Sequence, residues 1–203
     1  GDYDDWFQAH FRTRGIQSVL CHAFLGEALP DPSRFDGVLL TGSPASVRDQ
    51  ESWMPPLGEW TLEAAVSRCP VLAVCFGHQL VGEALGGFVE PNPAGVETGT
   101  IRVELTHEGQ EDPLFRGLGA SFSAQSTHRD VLIRPPSATL LASTDNTLWQ
   151  AFGWGKYLRA VQFHPEIPPA ALRDLCAVRG LPASVSDDSH GPQILDNWIE
   201  GCL

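Results

Sequence analysis

Val71-Leu72-Ala73-Val74-Cys75-Phe76-Gly77-His78-Gln79-Leu80 is four apolar residues, a cysteine among small neighbours, and the start of a helical pattern. The apolar run is too short for a helix and lacks a polar face, so it reads as a strand buried on both sides, as in a parallel sheet. Residues 78–85 have helical spacing and stop at Gly86-Gly87, while Pro70 punctuates the other end. A cysteine at such a junction matches the strained strand-to-helix turn that lifts a nucleophile above a sheet, and a small residue at position 77 lets the turn close. The helix N-terminus favours the thiolate, which is the nucleophilic form. Taken alone, the segment also fits a buried core cysteine.

Moving outward, Asp36-Gly37 turns the chain into Val38-Leu39-Leu40, a second apolar strand that stops at Thr41-Gly42-Ser43-Pro44 as a parallel strand stops at its functional loop. Residues 3–14 predict a helix capped by Gly15, residues 17–21 a strand, and residues 60–67 a helix. Beyond Gly87 the pattern changes to shorter alternating segments at 100–105, 121–123, 131–134, 139–143, 149–152 and 158–163. Two last helices are expected at 169–178 and 193–200, separated by a Ser/Asp-rich loop at 183–189. The expected fold is α/β: a three-layer arrangement with a mostly parallel central sheet, flanking helices and a smaller antiparallel portion, in a single domain over residues 1–203.

The bulk properties agree. With 203 residues, 42% hydrophobic and 19% charged, the chain can build one core without staples. Its 13 basic and 25 acidic residues give a net charge of −12, whose field repels phosphate backbones and anionic lipids, so nucleic acid and membrane are poor candidates as partners. The longest uninterrupted apolar run, Val71 to Phe76, is far below the ~20 residues of a membrane-spanning helix. Five cysteines at 21, 69, 75, 176 and 202 form no Cys-x-x-Cys, which predicts reduced thiols and a cytoplasmic setting. No metal-ligand spacing, phosphate loop or dinucleotide fingerprint is present, so no metal or other cofactor is expected.

A second segment carries chemistry. In Val161-Gln162-Phe163-His164-Pro165-Glu166 an apolar strand ends in a histidine, with a carboxylate two residues on and proline holding the backbone extended between them. A nucleophilic cysteine needs a base, and the base needs a third group to fix its tautomer; His164 and Glu166 suit those roles. By itself a strand-end histidine is as readily a hydrogen-bonded surface residue.

Together the two segments resemble class I glutamine amidotransferases, whose nucleophile turn reads Gly-x-Cys-x-Gly-x-Gln or a close variant and whose base segment reads His-Pro-Glu. The resemblance continues through Asp36-Gly37, Thr41 to Pro44, Gly86-Gly87, Glu97-Thr98-Gly99, Asp112-Pro113-Leu114-Phe115 and His128-Arg129-Asp130-Val131. It is nearest to the free-standing branch with a Cys-Phe-Gly-His-Gln turn, which includes GMP-synthase-like amidotransferases and γ-glutamyl peptidases, and it implies their flavodoxin-like fold. It further implies that Cys75 attacks the γ-carbonyl of glutamine, that His164 is the general base and acid, and that Glu166 orients it. The oxyanion donors would be the N–H groups of Ser43 and Phe76 in and beside the Gly42 loop. Gln79, Thr127 and His128 would contact the amino-acid end of the substrate.

Two departures stand out. Ala73 replaces the usual glycine of the turn, and the strand that the family places just before a segment like residues 1–7 is not in this sequence. The resemblance implies glutamine or a γ-glutamyl conjugate as substrate and, as partner for the ammonia, a separate synthetase subunit. Its alternatives are a stand-alone γ-glutamyl hydrolase and a non-catalytic binding subunit. The related flavodoxin-like family of chaperones and deglycases also has a strand-to-helix cysteine but lacks the His-Pro-Glu ending.

Overall fold

The computed structural model describes residues 3–134 and 137–202. Its centre is three parallel strands, β1 (Val38–Leu40), β2 (Val71–Val74) and, from late in the chain, β9 (Leu158–Val161), with β2 between the other two. The sheet continues from β9 through β8 (Ala151–Trp154), β7 (Thr139–Ser143), β4 (Glu97–Leu105) and β5 (Ser121–His128). These last pairings are antiparallel, and together the registers orient five of the seven strands one way. A two-stranded antiparallel pair, β3 (Phe88–Pro91) with β6 (Asp130–Arg134), stands apart from the main sheet.

Six α-helices, with four short 3-10 turns, complete the described chain: α1 (Tyr3–Thr13), α2 (Met54–Val66), α3 (Phe76–Ala84), α4 (His107–Glu111), α5 (Pro169–Arg179) and α6 (Gly191–Cys202). The side-chain period of two assigns the layers. Leu72 and Val74 join a core with Phe7 and Phe11 of α1 and Ile194, Leu195 and Ile199 of α6. Val71 and Ala73 join the opposite core, with Met54, Ala64 and Ala65 of α2 and Phe76, Leu80 and Val81 of α3. All four residues of β2 are buried, so each valine or leucine there contributes about 1.5–3 kcal/mol of transfer free energy. That double burial is why the segment at 71–74 reads as continuously apolar.

Two expectations needed correction, and strand β3 and helix α4 were missed. The strand predicted at 17–21 does not form; Val19 and Leu20 are 74% and 43% exposed. The segment lines a cavity of about 520 Å³ whose other wall includes Val38, Leu39 and Leu40. Among the described residues no strand pairs with that outer edge of β1, and an extended segment without a ladder partner gains no cross-strand stabilisation. Helix α2 begins at Met54, earlier than the expected position 60, because Pro55 and Pro56 occupy its first turn, where missing N–H groups cost nothing. Strand β3 was not anticipated; its alternation is short and mostly exposed. No helix among the described residues is long and apolar enough to cross a membrane.

Candidate active site

Cys75 occupies the residue between β2 and α3 with φ 52° and ψ −100°, outside the regions open to unstrained side chains. Such a conformation costs on the order of 1–3 kcal/mol and persists only where the surroundings hold it. Here the Cys75 N–H donates to the Val161 carbonyl of β9 at 2.8 Å, and its own carbonyl accepts from Gln79 N–H at 3.0 Å. Gly77 explains the need for a small residue two positions on. A Cβ there would lie 2.7 Å from Leu40 Cβ and 3.0 Å from the Leu40 carbonyl oxygen, so only glycine lets α3 approach β1 this closely.

His164 arrives from the neighbouring strand. β2 and β9 pair in register through Val74 and Val161, so the chain leaves both strands at the same end of the sheet, as ligand sites of parallel sheets require. The His164 N–H donates to the Gln125 carbonyl of β5 at 2.8 Å, which fixes the backbone. Its ring is fully buried, and Nδ1 donates to Glu166 Oε1 at 2.6 Å. That bond leaves Nε2, which has no hydrogen-bond partner among the described residues, to face the reacting group. Burial opposes a charge on this ring, but the negative charge of Glu166 and then that of Cys75, reinforced by the bond from Nδ1 to Glu166, outweigh it and raise the His164 pKa well above its ordinary value. Tyr3 stacks on the imidazole at a centroid distance of 5.2 Å and an interplanar angle of 15°, so α1 supplies a wall that sequence reading missed.

The loop after β1 closes the other side. A Cβ on Gly42 would lie 2.9 Å from His164 Cε1, which shows how tightly this loop sits on the imidazole. Ser43 Oγ accepts from the Ala45 N–H at 3.1 Å, turning the chain away again. Phe76 is the first residue of α3, where a helix leaves its N–H without an intrahelical partner. Trp53 packs on Phe76 with ring centroids 5.5 Å apart and lines the cavity beside β1.

The softer candidates are placed differently. Gln79 is buried, and its Nε2 donates to the Asp130 carbonyl at 2.8 Å and to Gln162 Oε1 at 3.0 Å, so its amide ties α3 to β6 and to the strand end before His164. Thr127 and His128 end β5, and both are buried. His128 Nε2 donates to Glu97 Oε2 at 2.9 Å. The same carboxylate accepts from Thr144 Oγ1 at 2.8 Å, from Thr147 Oγ1 at 3.1 Å and from the Gln150 amide. Burial pushes the Glu97 pKa up, but the His128 contacts and the two threonine hydroxyls bring the net shift below the ordinary value. These partners come from loops and strands far apart in sequence, and no local pattern announces them. His78, fully buried, is held down to about 3 by burial first and by nearby His128 second, and is therefore neutral.

The family model for Glutamine amidotransferase class-I matches residues 9–173. The chain belongs to the class I glutamine amidotransferase family. Over 98% of its length it is 33% identical to the GMP synthase [glutamine-hydrolyzing] of Aeropyrum pernix, of which it spans 34%. It spans about a third or less of the first such relatives. Sulfolobus acidocaldarius has a shorter relative, named as one subunit of a glutamine-hydrolyzing GMP synthase; the chain is 31% identical to it over 82% of its own length and covers 85% of that protein. The amidotransferase fold also superposes on a glutamine amidotransferase from Methylobacillus flagellatus, with a TM-score of 0.80 at 22% identity, covering 96% of this chain and 88% of that one.

Proposed function

We propose that this amidotransferase hydrolyses the γ-amide of glutamine through a thioester on Cys75 and delivers ammonia to a separate synthetase subunit. The observation that carries the reading is the backbone-strained Cys75 at the head of α3 beside the buried His164–Glu166 pair. The Cys75 sulfur attacks the γ-carbonyl carbon, and the tetrahedral oxyanion takes hydrogen bonds from the N–H groups of Ser43 and Phe76. The imidazolium of His164 gives its proton to the departing nitrogen, releasing ammonia and leaving the γ-glutamyl thioester. His164 then takes a proton from water, whose oxygen attacks the thioester; the C–S bond breaks, glutamate is released, and the Cys75 thiolate and His164 imidazolium from which the cycle began are restored. Glu166 holds the ring with Nδ1 protonated and stabilises its charge throughout. Gly42 brings the oxyanion loop against the imidazole, and Gln79, Thr127 and His128 form the substrate end.

The match to a relative that is itself one subunit of a synthase, 85% of which the chain covers, supports a partner on another chain. A stand-alone γ-glutamyl hydrolase would use the same residues on a conjugate. Steady-state kinetics on glutamine and on a γ-glutamyl dipeptide separate the two. Glutamine is expected to have the higher kcat/KM, and His164→Ala should abolish turnover of either. A dipeptide preferred a hundredfold, or about 2.7 kcal/mol in transition-state stabilisation, would establish the hydrolase instead.

A further inference from the structure

Asp130, at the start of β6, sits where four segments meet. Its Oδ2 accepts from the Ser46 hydroxyl at 2.6 Å, and its Oδ1 lies 3.8 Å from the Arg48 guanidinium. Its main-chain carbonyl accepts from Gln79 Nε2 at 2.8 Å and faces His128 Nδ1 at 3.1 Å. The carboxylate is 14% exposed, so these bonds compete with little water.

Ser46 is itself rigid: its Oγ accepts the Arg48 N–H at 3.3 Å and its N–H donates to Asp49 Oδ2 at 3.1 Å, a capping box that closes the short helical turn Val47–Asp49. Only Pro44 and Ala45 separate Ser46 from Ser43, and the Ala45 N–H is already bonded to Ser43 Oγ. The orientation of the Ser43 N–H is therefore set from one side by β1 and from the other by whatever anchors Ser46. That anchor is Asp130, and the same residue, through its carbonyl and Gln79, grips the first turn of α3, which carries the Phe76 N–H.

We propose that Asp130 is a positioning residue that holds the two oxyanion donors in mutual register: the Ser43 donor through the bond to Ser46, and the Phe76 donor through Gln79. The inference rests on the reading of Ser43 and Phe76 as those donors. An oxyanion forms only after attack, so a misplaced donor lowers kcat and leaves KM nearly unchanged.

The test uses the full chain and Asp130→Ala, Ser46→Ala, the double variant and Asp130→Asn, assayed on whichever of glutamine or a γ-glutamyl dipeptide the unmodified protein turns over. Alkylation of Cys75 by iodoacetamide, a displacement that builds no oxyanion, is measured in parallel. Asp130→Ala and Ser46→Ala should each lower kcat by about tenfold to a hundredfold, up to the ~10²–10³ of a lost donor. KM should stay within about threefold, because ground-state binding does not use the donors. The double variant should be no worse than the weaker single one, because both break the same bond. Asp130→Asn keeps an acceptor for Ser46 and should recover most of the loss, and alkylation should keep its rate in every variant. Retained kcat in either alanine variant, losses that multiply in the double variant, or alkylation falling in step with kcat would overturn the proposal. Turnover that is abolished by Cys75→Ala sustains the hydrolytic reading whatever Asp130 does, and its absence from the unmodified protein overturns both.

Discussion

Replacing Gly77 by alanine tests how closely the nucleophile turn and the oxyanion loop are coupled. The added Cβ would sit 2.7 Å from Leu40 Cβ, whereas ordinary contacts begin at 3.4 Å, so α3 and β1 must separate by at least 3.4 − 2.7 = 0.7 Å. Both elements are packed into one buried core and cannot yield locally. Overpacking of this kind costs ~1–3 kcal/mol. Alanine recovers at most about 1 kcal/mol of helix propensity, and less at the second residue of a helix than in its interior. The net loss is about 1–2 kcal/mol, which for a chain of this size lowers Tm by ~2–8 °C. Leu40 also leads directly into Thr41-Gly42-Ser43, so the same displacement carries the Ser43 N–H away from the oxyanion and should lower kcat by ~10²-fold. Calorimetry and steady-state kinetics on one preparation read both effects. An unchanged Tm would refute the packing argument; a lowered Tm with full kcat would refute the coupling of β1 to the oxyanion loop.

Three further outcomes are expected. A glutamine-like electrophile should label Cys75 ahead of the other cysteines in peptide mass mapping: burial, with Glu27 beside Cys21 and Asp36 beside Cys69, raises those two thiols and lowers their thiolate fraction; equal labelling of all would exclude Cys75 as the nucleophile. Glu166→Gln removes the carboxylate that outweighs burial at His164, so the His164 pKa should fall and the alkaline limb of the pH–rate profile should move to lower pH; an unmoved limb contradicts the assignment of that limb to His164. Glu97→Ala leaves buried His128, Thr147 and Gln150, and half-buried Thr144, without their shared acceptor and should cost at least about 1–3 kcal/mol in denaturant unfolding at pH 7. Because the Glu97 pKa is lowered on folding, its contribution is present above the unfolded-state value and should fade as pH falls through the folded one; a gap between wild type and variant that widens on acidification would refute that sign.

Elements with strong local signals were read correctly from the chain. β2, α3 and the cysteine between them follow from an apolar run too short for a helix, a glycine two residues on, and helical spacing after it. His164 and Glu166 could be paired with Cys75 because Pro165 fixes a two-residue reach that needs no tertiary knowledge. The strand expected at 17–21 failed for the opposite reason: alternation is a local property, whereas a strand exists only where another strand offers its edge.

Sequence by itself located the candidate chemistry at the ends of two strands, since the proposed nucleophile, base and orienting carboxylate each lie in short apolar segments with tight turn residues. Only the tertiary structure decided how that chemistry is held: that Gly77 is required by Leu40, that Tyr3 stacks on the imidazole, that Gln79 spends its amide on Asp130 and Gln162, and that Glu97 gathers donors from four later positions in the chain. The physical reason is range. Backbone propensity and side-chain period act over a few residues and are written in local order, whereas a buried polar group takes its partners from whichever elements packing brings within about 3 Å.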